Sequence, residues 1–534
     1  MLEVRGHSLF SASEPCCNLV VKKPDGFVST ATEGCLVEAV GHFIRRFVPQ
    51  GRGDVELLED RQLAFFLFGR KRSSAKGFEI ASGGERIEFF RHERDNTPLL
   101  PLCKTIARAG LRRRRTKVHG REGSLGGSLG AYEDVLITSE EPYAARIADI
   151  DIGSGDVVQH ITFEGFEIGP APGIVIKMDG GRTTNENVHH VTFRNNIIHE
   201  SGSSDVVKIN AGSNEIRLEW NVLYGHNDDT VDLNSVENVF VENNVFFDLL
   251  AERHRNLLVI KDSTPVGAPD FYESTRNAIV RGNVFFGWHG GGNSAMLALG
   301  EDNDRDAYAV QHALVENNVF IGDGALEGFV APISMRGVRG VTVRHNTFTG
   351  PFAGARSWGF LAWEISEPSR ILTEDIFIYN NVWAGEGVRA SRFLKSDDED
   401  VGAFVLDNNL YWNGGSELPF DGDQGVIDAR EDSAAVRLDP GLPPVDGSLL
   451  LPIWQRGEGR FADGSTDICS LRGRLIDSYA QPTESSAVSE MGRSEIPSGD
   501  EFPVSHSSRT CRIVGPSKLV MRARARPKAH SAID

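Results

Sequence analysis

One short pattern recurs through the middle of this chain and limits the possible folds more than any other feature. Alternating apolar positions lead to Asn or Asn-Asn and then to another apolar residue, in copies reading HVTFRNNII, IRLEWNVLY, VFVENNVFF, AIVRGNVFF, ALVENNVFI, VTVRHNTFT, IFIYNNVWA and FVLDNNLYW. Their aligned asparagines are Asn196, Asn221, Asn244, Asn283, Asn318, Asn346, Asn381 and Asn409, at steps of 25, 23, 39, 35, 28, 35 and 28 residues. An earlier copy, HITFEGFEI, has Phe166 in the slot. Strict alternation of Val, Ile and Phe argues strands, and no 3.6-residue period intervenes to supply crossover helices, so a doubly wound sheet is excluded. The strands must stack as coils, with a fixed frame set by the shortest step and loops that absorb the excess. Asn suits such a corner because it tolerates left-handed backbone angles and can hydrogen-bond to its copy about 4.8 Å along the stack. The expectation is an all-β solenoid of about nine coils over residues 150–413, with the Asn column buried at one corner.

Charge divides the 534 residues into three segments. Residues 1–130 carry 22 basic and 15 acidic groups, residues 131–450 carry 22 and 50, and residues 451–534 carry 12 and 10. All six cysteines lie in the outer segments, so the acidic middle has no thiol for a disulfide, a zinc site or a covalent nucleophile. Residues 1–130 are read as a basic, Cys-containing segment, 131–450 as the coil domain, and the Ser-, Arg- and Pro-rich residues 451–534 as a disordered tail. No apolar run approaches the roughly 20 residues of a membrane span, and no secretory leader opens the chain. The run Arg112 to Arg115 lacks interleaved aromatics and reads as a solvated charge run, so no nucleic-acid partner is expected. A monomer is expected.

The repeat resembles the right-handed parallel β-helix of pectate lyases and related polysaccharide-active enzymes, with the VENNVFF-type corners carrying the resemblance over about half the chain. The expected architecture is therefore a right-handed parallel β-helix flanked by irregular N- and C-terminal segments. Fold alone gives no activity, because adhesins and tail spikes share it, so the chemistry has to come from the outward face.

A second repeated element follows each corner. Aligning GSSDVVKINAGS (202–213), HNDDTVDLNSV (226–236) and RNLLVIKDSTP (255–265) places Lys208, Asp232 and Lys261 in one outward column, with Val207, Val231 and Ile260 pointing inward. Asp228 and Asp229 stand just before Asp232, and Asp205 aligns with Asp229 one coil earlier. Four carboxylates on one patch require a cation, and an oxygen-only donor set favours a hard ion, Ca²⁺ over Mg²⁺. Aspartates in the turns of an acidic domain are the competing reading.

These residues resemble polysaccharide lyase family nine, whose β-helices hold Ca²⁺ with an Asp on one coil and Asp-Asp-x-x-Asp on the next, followed by a lysine base a coil later. The matching positions are Asp205, then Asp228, Asp229 and Asp232, then Lys261; Thr230 stands where the family often has Gly. The resemblance implies a calcium-dependent lyase of an acidic polysaccharide, working by β-elimination outside the cell or in the periplasm. The residue types suit that chemistry, since a cation on a uronate carboxylate stabilises the enolate-like charge that develops when a base removes the α proton. Lys208, Arg255 and Arg336 are candidate substrate-binding groups, and Glu301 with Asp302 is either a second cation site or a solvated turn. His226 reads as a loop residue. The corner aromatics Phe246, Phe247, Phe285, Phe286, Phe320, Trp383, Tyr411 and Trp412 read as core stacks. A metal-independent glycoside hydrolase using Asp228, Asp229 and Asp232, a non-catalytic glycan-binding or adhesive protein, and an epimerase exchanging the same proton remain as alternatives.

Overall fold

A computed structural model describes residues 135–152, 158–180, 188–248, 256–262, 274–288, 294–300, 307–322, 330–352, 355–364, 370–387, 392–395, 401–418, 432, 434–445 and 450–482, together with short strands between 66 and 120. The chain is a right-handed parallel β-helix. Each coil contributes one strand to each of three sheets. Sheet 1 stacks the strands that precede the corner, sheet 2 the short strands that follow it, and sheet 3 the strands that close the coil. Among the described residues sheet 3 has nine strands, from Ile150–Ile152 to Leu394–Lys395, in agreement with the coil count read from the repeat. The stack starts earlier than residue 150, because Val135–Ser139 and Arg146–Ile147 form a first coil without an asparagine.

Register explains the core. Ile161, Val191, Ile216, Val239, Ala278, Ala313, Val341 and Ile376 occupy one column of sheet 1, each paired with its copy on the next coil. Inside the corner, Phe246, Phe285, Phe320, Phe348 and Trp383 stack face to face with centroids 4.8, 4.8, 4.7 and 3.5 Å apart. These side chains are buried, so the repeat converts period-2 alternation directly into a continuous apolar column.

The asparagine column is buried as expected, and its work is divided between neighbours. Each ladder residue from Asn221 to Asn409 accepts at Oδ1 from the backbone N and the Nδ2 of the asparagine one coil earlier. Its Nδ2 also donates to a backbone carbonyl, for example Asn283 to Val241 O at 2.8 Å. Asp432 caps the last rung, accepting from Asn409 N at 2.9 Å and Nδ2 at 2.8 Å. The left-handed position is the residue before, occupied by Gly165, Asn195, Trp220, Asn243, Gly282, Asn317, His345, Asn380 and Asn408 with φ between 54° and 78°. The sequence reading had given both tasks to one asparagine; the double Asn of NN corners reflects two separate requirements.

Both flanks depart from the irregular structure expected. Phe66–Arg72, Ala75–Ser82 and Glu85–His92 pair antiparallel, and Thr116–Gly120 joins them to the first strand of sheet 1. At the other end, residues 451–482 are ordered rather than a disordered tail. Trp454–Gln455 and Arg460–Phe461 make a hairpin, followed by a helix over Ile468–Tyr479 whose cap, Asp467, accepts from Ser470 N at 2.8 Å. Ile468, Leu471 and Leu475 bury against Tyr224, Phe247, Val284 and Phe286 on the outer surface of sheet 2. Phe247 and Phe286 are thus core residues on the outside of the coil, and Trp412 is half-buried. Residues 483–534 lie outside the described residues. No helix among the described residues is long and apolar enough to cross a membrane.

Candidate functional site

The acidic patch forms where two consecutive coils enter sheet 3. The strands Val207–Asn210, Val231–Asn234 and Leu258–Lys261 stack in parallel, with Val207, Val231 and Leu258 aligned and facing inward. Two residues before that level, Asp205, Asp229 and Asn256 form a ladder of their own. Asp205 Oδ1 accepts from Asp229 N at 3.1 Å, and Asp229 Oδ1 accepts from Asn256 N at 2.8 Å and Nδ2 at 3.0 Å. Asn256 Oδ1 in turn accepts from Ala295 N at 3.0 Å. The aspartates sit here because their oxygens satisfy backbone donors of the next coil.

Asp232 stands on the next outward position, opposite Lys208, with Lys177 one coil earlier in the same column. Asp205, Asp229 and Asp232 are at most 1% exposed, and one carboxylate oxygen from each lies within 4.8 Å of the others. Lys208 Nζ donates to Asp205 Oδ2 at 3.0 Å and to Asp232 Oδ2. Lys261 Nζ lies 3.7 Å from Asp232 Oδ1, a buried oxygen with no hydrogen-bond partner.

Three carboxylates are thus opposed by two ammonium groups. Burial raises the Asp205 carboxyl above its ordinary value, and the charge of Asp232 adds to the shift. Burial, reinforced by Asp232 and Asp205, holds the Asp229 carboxyl well above the usual carboxylate range. Burial works against the Lys208 ammonium, but Asp232 and Asp205 outweigh it and raise its pKa. A cluster of this kind gains by taking up a proton or a cation.

The sequence-derived residues divide accordingly. Asp205, Asp229, Asp232, Lys208 and Lys261 come together. Asp228 is half-buried and is not among the three carboxylates that converge. Lys261 does not continue the Lys208–Asp232 column: it pairs with Asn234, two residues further along the strand, and Val259 takes the position opposite Asp232. The positive, negative, positive ladder is therefore corrected to Lys177, Lys208, Asp232, Val259, and Lys261 reaches the cluster by the length of its side chain. Arg336 belongs to the column of Lys261 two coils on, through the pairs Ile260–Leu299 and Leu299–Met335, and its Nε donates to Glu364 O at 2.9 Å. Arg255, Glu301 and Asp302 lie outside the described residues. His226 is a loop residue as expected, and it is fully buried beside Thr230 and Asp248. Asn256 and Lys177 escaped the sequence reading; their alignment below Asp229 and before Lys208 was the available signal.

The donor set fits a hard divalent cation. It is oxygen-only, its three ligand oxygens converge, and it includes an unpartnered buried acceptor on Asp232. Asp205, Asp229 and Asp232 are the residues able to hold such an ion, with Lys208 giving up one of its carboxylate contacts.

No family model matches the chain, and no curated protein matches it. Among solved structures, the A-module of the Azotobacter vinelandii mannuronan C-5 epimerase AlgE6 is similar at 13% identity and a TM-score of 0.36, covering 53% of this chain and 65% of that one. PfbA, a surface adhesin of Streptococcus pneumoniae, is similar at 11% identity and a TM-score of 0.28, covering 52% and 76%. The A-module of the epimerase AlgE4 from Azotobacter vinelandii is similar at 11% identity and a TM-score of 0.27, covering 51% and 83%. The chain thus spans about two thirds of the length of the AlgE6 module, and the three are what it resembles in fold.

Proposed function

We propose that the chain is a calcium-dependent lyase that cleaves a uronate-containing polysaccharide by β-elimination, acting outside the cytoplasm as a monomer. The observation that supports this reading is the convergence of Asp205, Asp229, Asp232, Lys208 and Lys261 from three consecutive coils, beside which a polymer lying along the stack would run. Bound Ca²⁺ would neutralise the substrate carboxylate and stabilise negative charge developing beside it.

The chain's own residues do the rest. Lys261, as the free amine, takes the proton from the uronate carbon next to the carboxylate. The electron pair left behind forms the ring double bond, and the glycosidic C–O bond at the adjacent carbon breaks. The departing oxygen takes up a proton and becomes the new chain end. Lys208 holds the aspartates in place and presents positive charge to the polymer, while Arg336, about 10 Å further along the stack, presents positive charge to a later uronate.

The test is absorbance of unsaturated uronate over a panel of polyuronates, with and without Ca²⁺, for the wild type and Lys261→Ala. Ca²⁺-dependent absorbance that falls about a hundredfold or more in the variant is the expected outcome. New reducing ends without absorbance would assign a hydrolase. Proton exchange with solvent without cleavage would assign an epimerase, and binding without either would assign an adhesive protein.

A further inference from the structure

A second cluster of ligating side chains lies on sheet 1, away from the carboxylates of sheet 3. Eight successive strands there break their alternation once. His160, His190, Glu215, Asn238, Asn277, His312, Gly340 and Asp375 share one level and all have left-handed φ, between 49° and 68°. The break puts two successive side chains outward before the inward pattern resumes. On Val188–Arg194 the buried Val188 and Val191 enclose His189 and His190, and on Val158–Glu164 the same frame encloses Gln159 and His160. Three imidazoles of adjacent coils therefore meet without any long loop to place them.

Their geometry combines a ring stack, His160 on His190 with centroids 4.4 Å apart, with ring nitrogens that converge. One ring nitrogen from each of His160, His189 and His190 lies within 4.8 Å of the others. Two of these rings set Nδ1 against Nδ1 at 2.8 Å, His189 facing His190, where two lone pairs share one proton or one cation. The far side of His190 is also anchored, since its Nε2 lies 2.7 Å from Glu215 Oε2 on the following coil. A carboxylate behind an imidazole is the arrangement that orients a metal-binding histidine and raises its basicity. On a tetrahedral ion with Zn–N near 2.0–2.1 Å, ligand nitrogens stand about 3.3 Å apart, so small side-chain rotations close the set.

We infer that His160, His189 and His190, backed by Glu215, form a Zn²⁺ site that fastens the early coils of the β-helix together. Imidazole donors select a borderline transition metal, whereas the all-carboxylate set selects a hard ion, so the two sites take different metals. The site stands independently of the catalytic reading.

The test is calorimetric titration of the full-length, chelator-stripped chain with Zn²⁺ in the presence of excess Ca²⁺, with Co²⁺ absorbance as a readout of tetrahedral nitrogen ligation. One equivalent of Zn²⁺ should bind. His189→Ala should weaken it by about tenfold or more, and Glu215→Gln by about tenfold. The double variant His160→Asn, His190→Asn keeps residues that tolerate the left-handed backbone, so it should fold, retain its Ca²⁺ response and lose Zn²⁺. No saturable Zn²⁺ binding, or binding unchanged in that double variant, would overturn the site. Binding lost instead with Asp229→Asn and Asp232→Asn would place the metal in the acidic cluster and equally overturn it.

Discussion

The corner of sheet 2 and the edge of sheet 3 use the same backbone device with different side chains. At both, a side-chain oxygen accepts from a backbone N of an adjacent coil, as Asn283 does from Asn244 N of the coil before at 2.9 Å and Asp205 does from Asp229 N of the coil after at 3.1 Å. The amide has a second end that donates, so every rung of the asparagine column satisfies the one beside it. The carboxylate has no donor, so its second oxygen is left facing its neighbours. Seven consecutive amide steps make a neutral, self-completing spine, while two stacked aspartates plus Asp232 make a charged patch that only a proton, an ammonium or a metal can complete. The fold thus distinguishes scaffold from site by one atom per side chain.

Exchanging that atom in each direction sharpens the contrast. Asn283→Asp removes the donor to Val241 O and to Asn318 Oδ1 and buries an unpaired charge, so the urea midpoint should fall by the equivalent of about 3–5 kcal/mol at neutral pH. A loss below that for an ordinary surface change would mean the spine is not carrying the corner. Leu471→Ala opens a cavity between the C-terminal helix and sheet 2 and should cost about 2–4 kcal/mol, equally with and without Ca²⁺. A dependence on Ca²⁺ there would couple two surfaces that the account keeps separate.

The reverse exchange, Asp229→Asn, keeps the acceptor for Asn256 and removes a mutually repelling charge. Without divalent cation it should stabilise the fold by on the order of 1 kcal/mol at neutral pH. The pH dependence follows from the raised Asp229 and Asp205 carboxyls. Between about 3.9, the unfolded value, and the raised folded value, the native chain binds more protons than the unfolded one. In chelator, the stability contributed by these two groups should therefore be full below that range and be lost as pH rises through the folded values, with a smaller loss in Asp229→Asn. Thermal melts of both proteins across pH check both statements; a wild type that gains as much stability as Asp229→Asn, or more, over that interval would contradict them.

The spine was legible in sequence because each rung repeats a residue type in a fixed apolar frame. The site was legible only in part. Asp205, Asp229 and Asp232 follow from the same alignment, but Lys261 was placed two residues off along its strand. A slip of two leaves every side chain on its expected face, so alternation cannot detect it. The helix over Ile468–Tyr479 carries Ile468, Leu471, Leu475 and Tyr479 along one stripe behind an Asp cap, yet the Ser, Arg and Pro content averaged over residues 451–534 concealed it. The imidazole cluster needed the left-handed break at His160 and His190, which no local propensity announces.

The central claim is that the charged patch is a cation site. Calorimetric titration of the chelator-stripped chain with Ca²⁺ tests it most directly, with Asp232→Asn and Asn283→Gln as the paired variants. One Ca²⁺ bound by the wild type, lost in Asp232→Asn and retained in any folded Asn283→Gln protein, is the expected result. A wild type that binds no Ca²⁺, or an Asp232→Asn protein that binds it unchanged, would contradict the account.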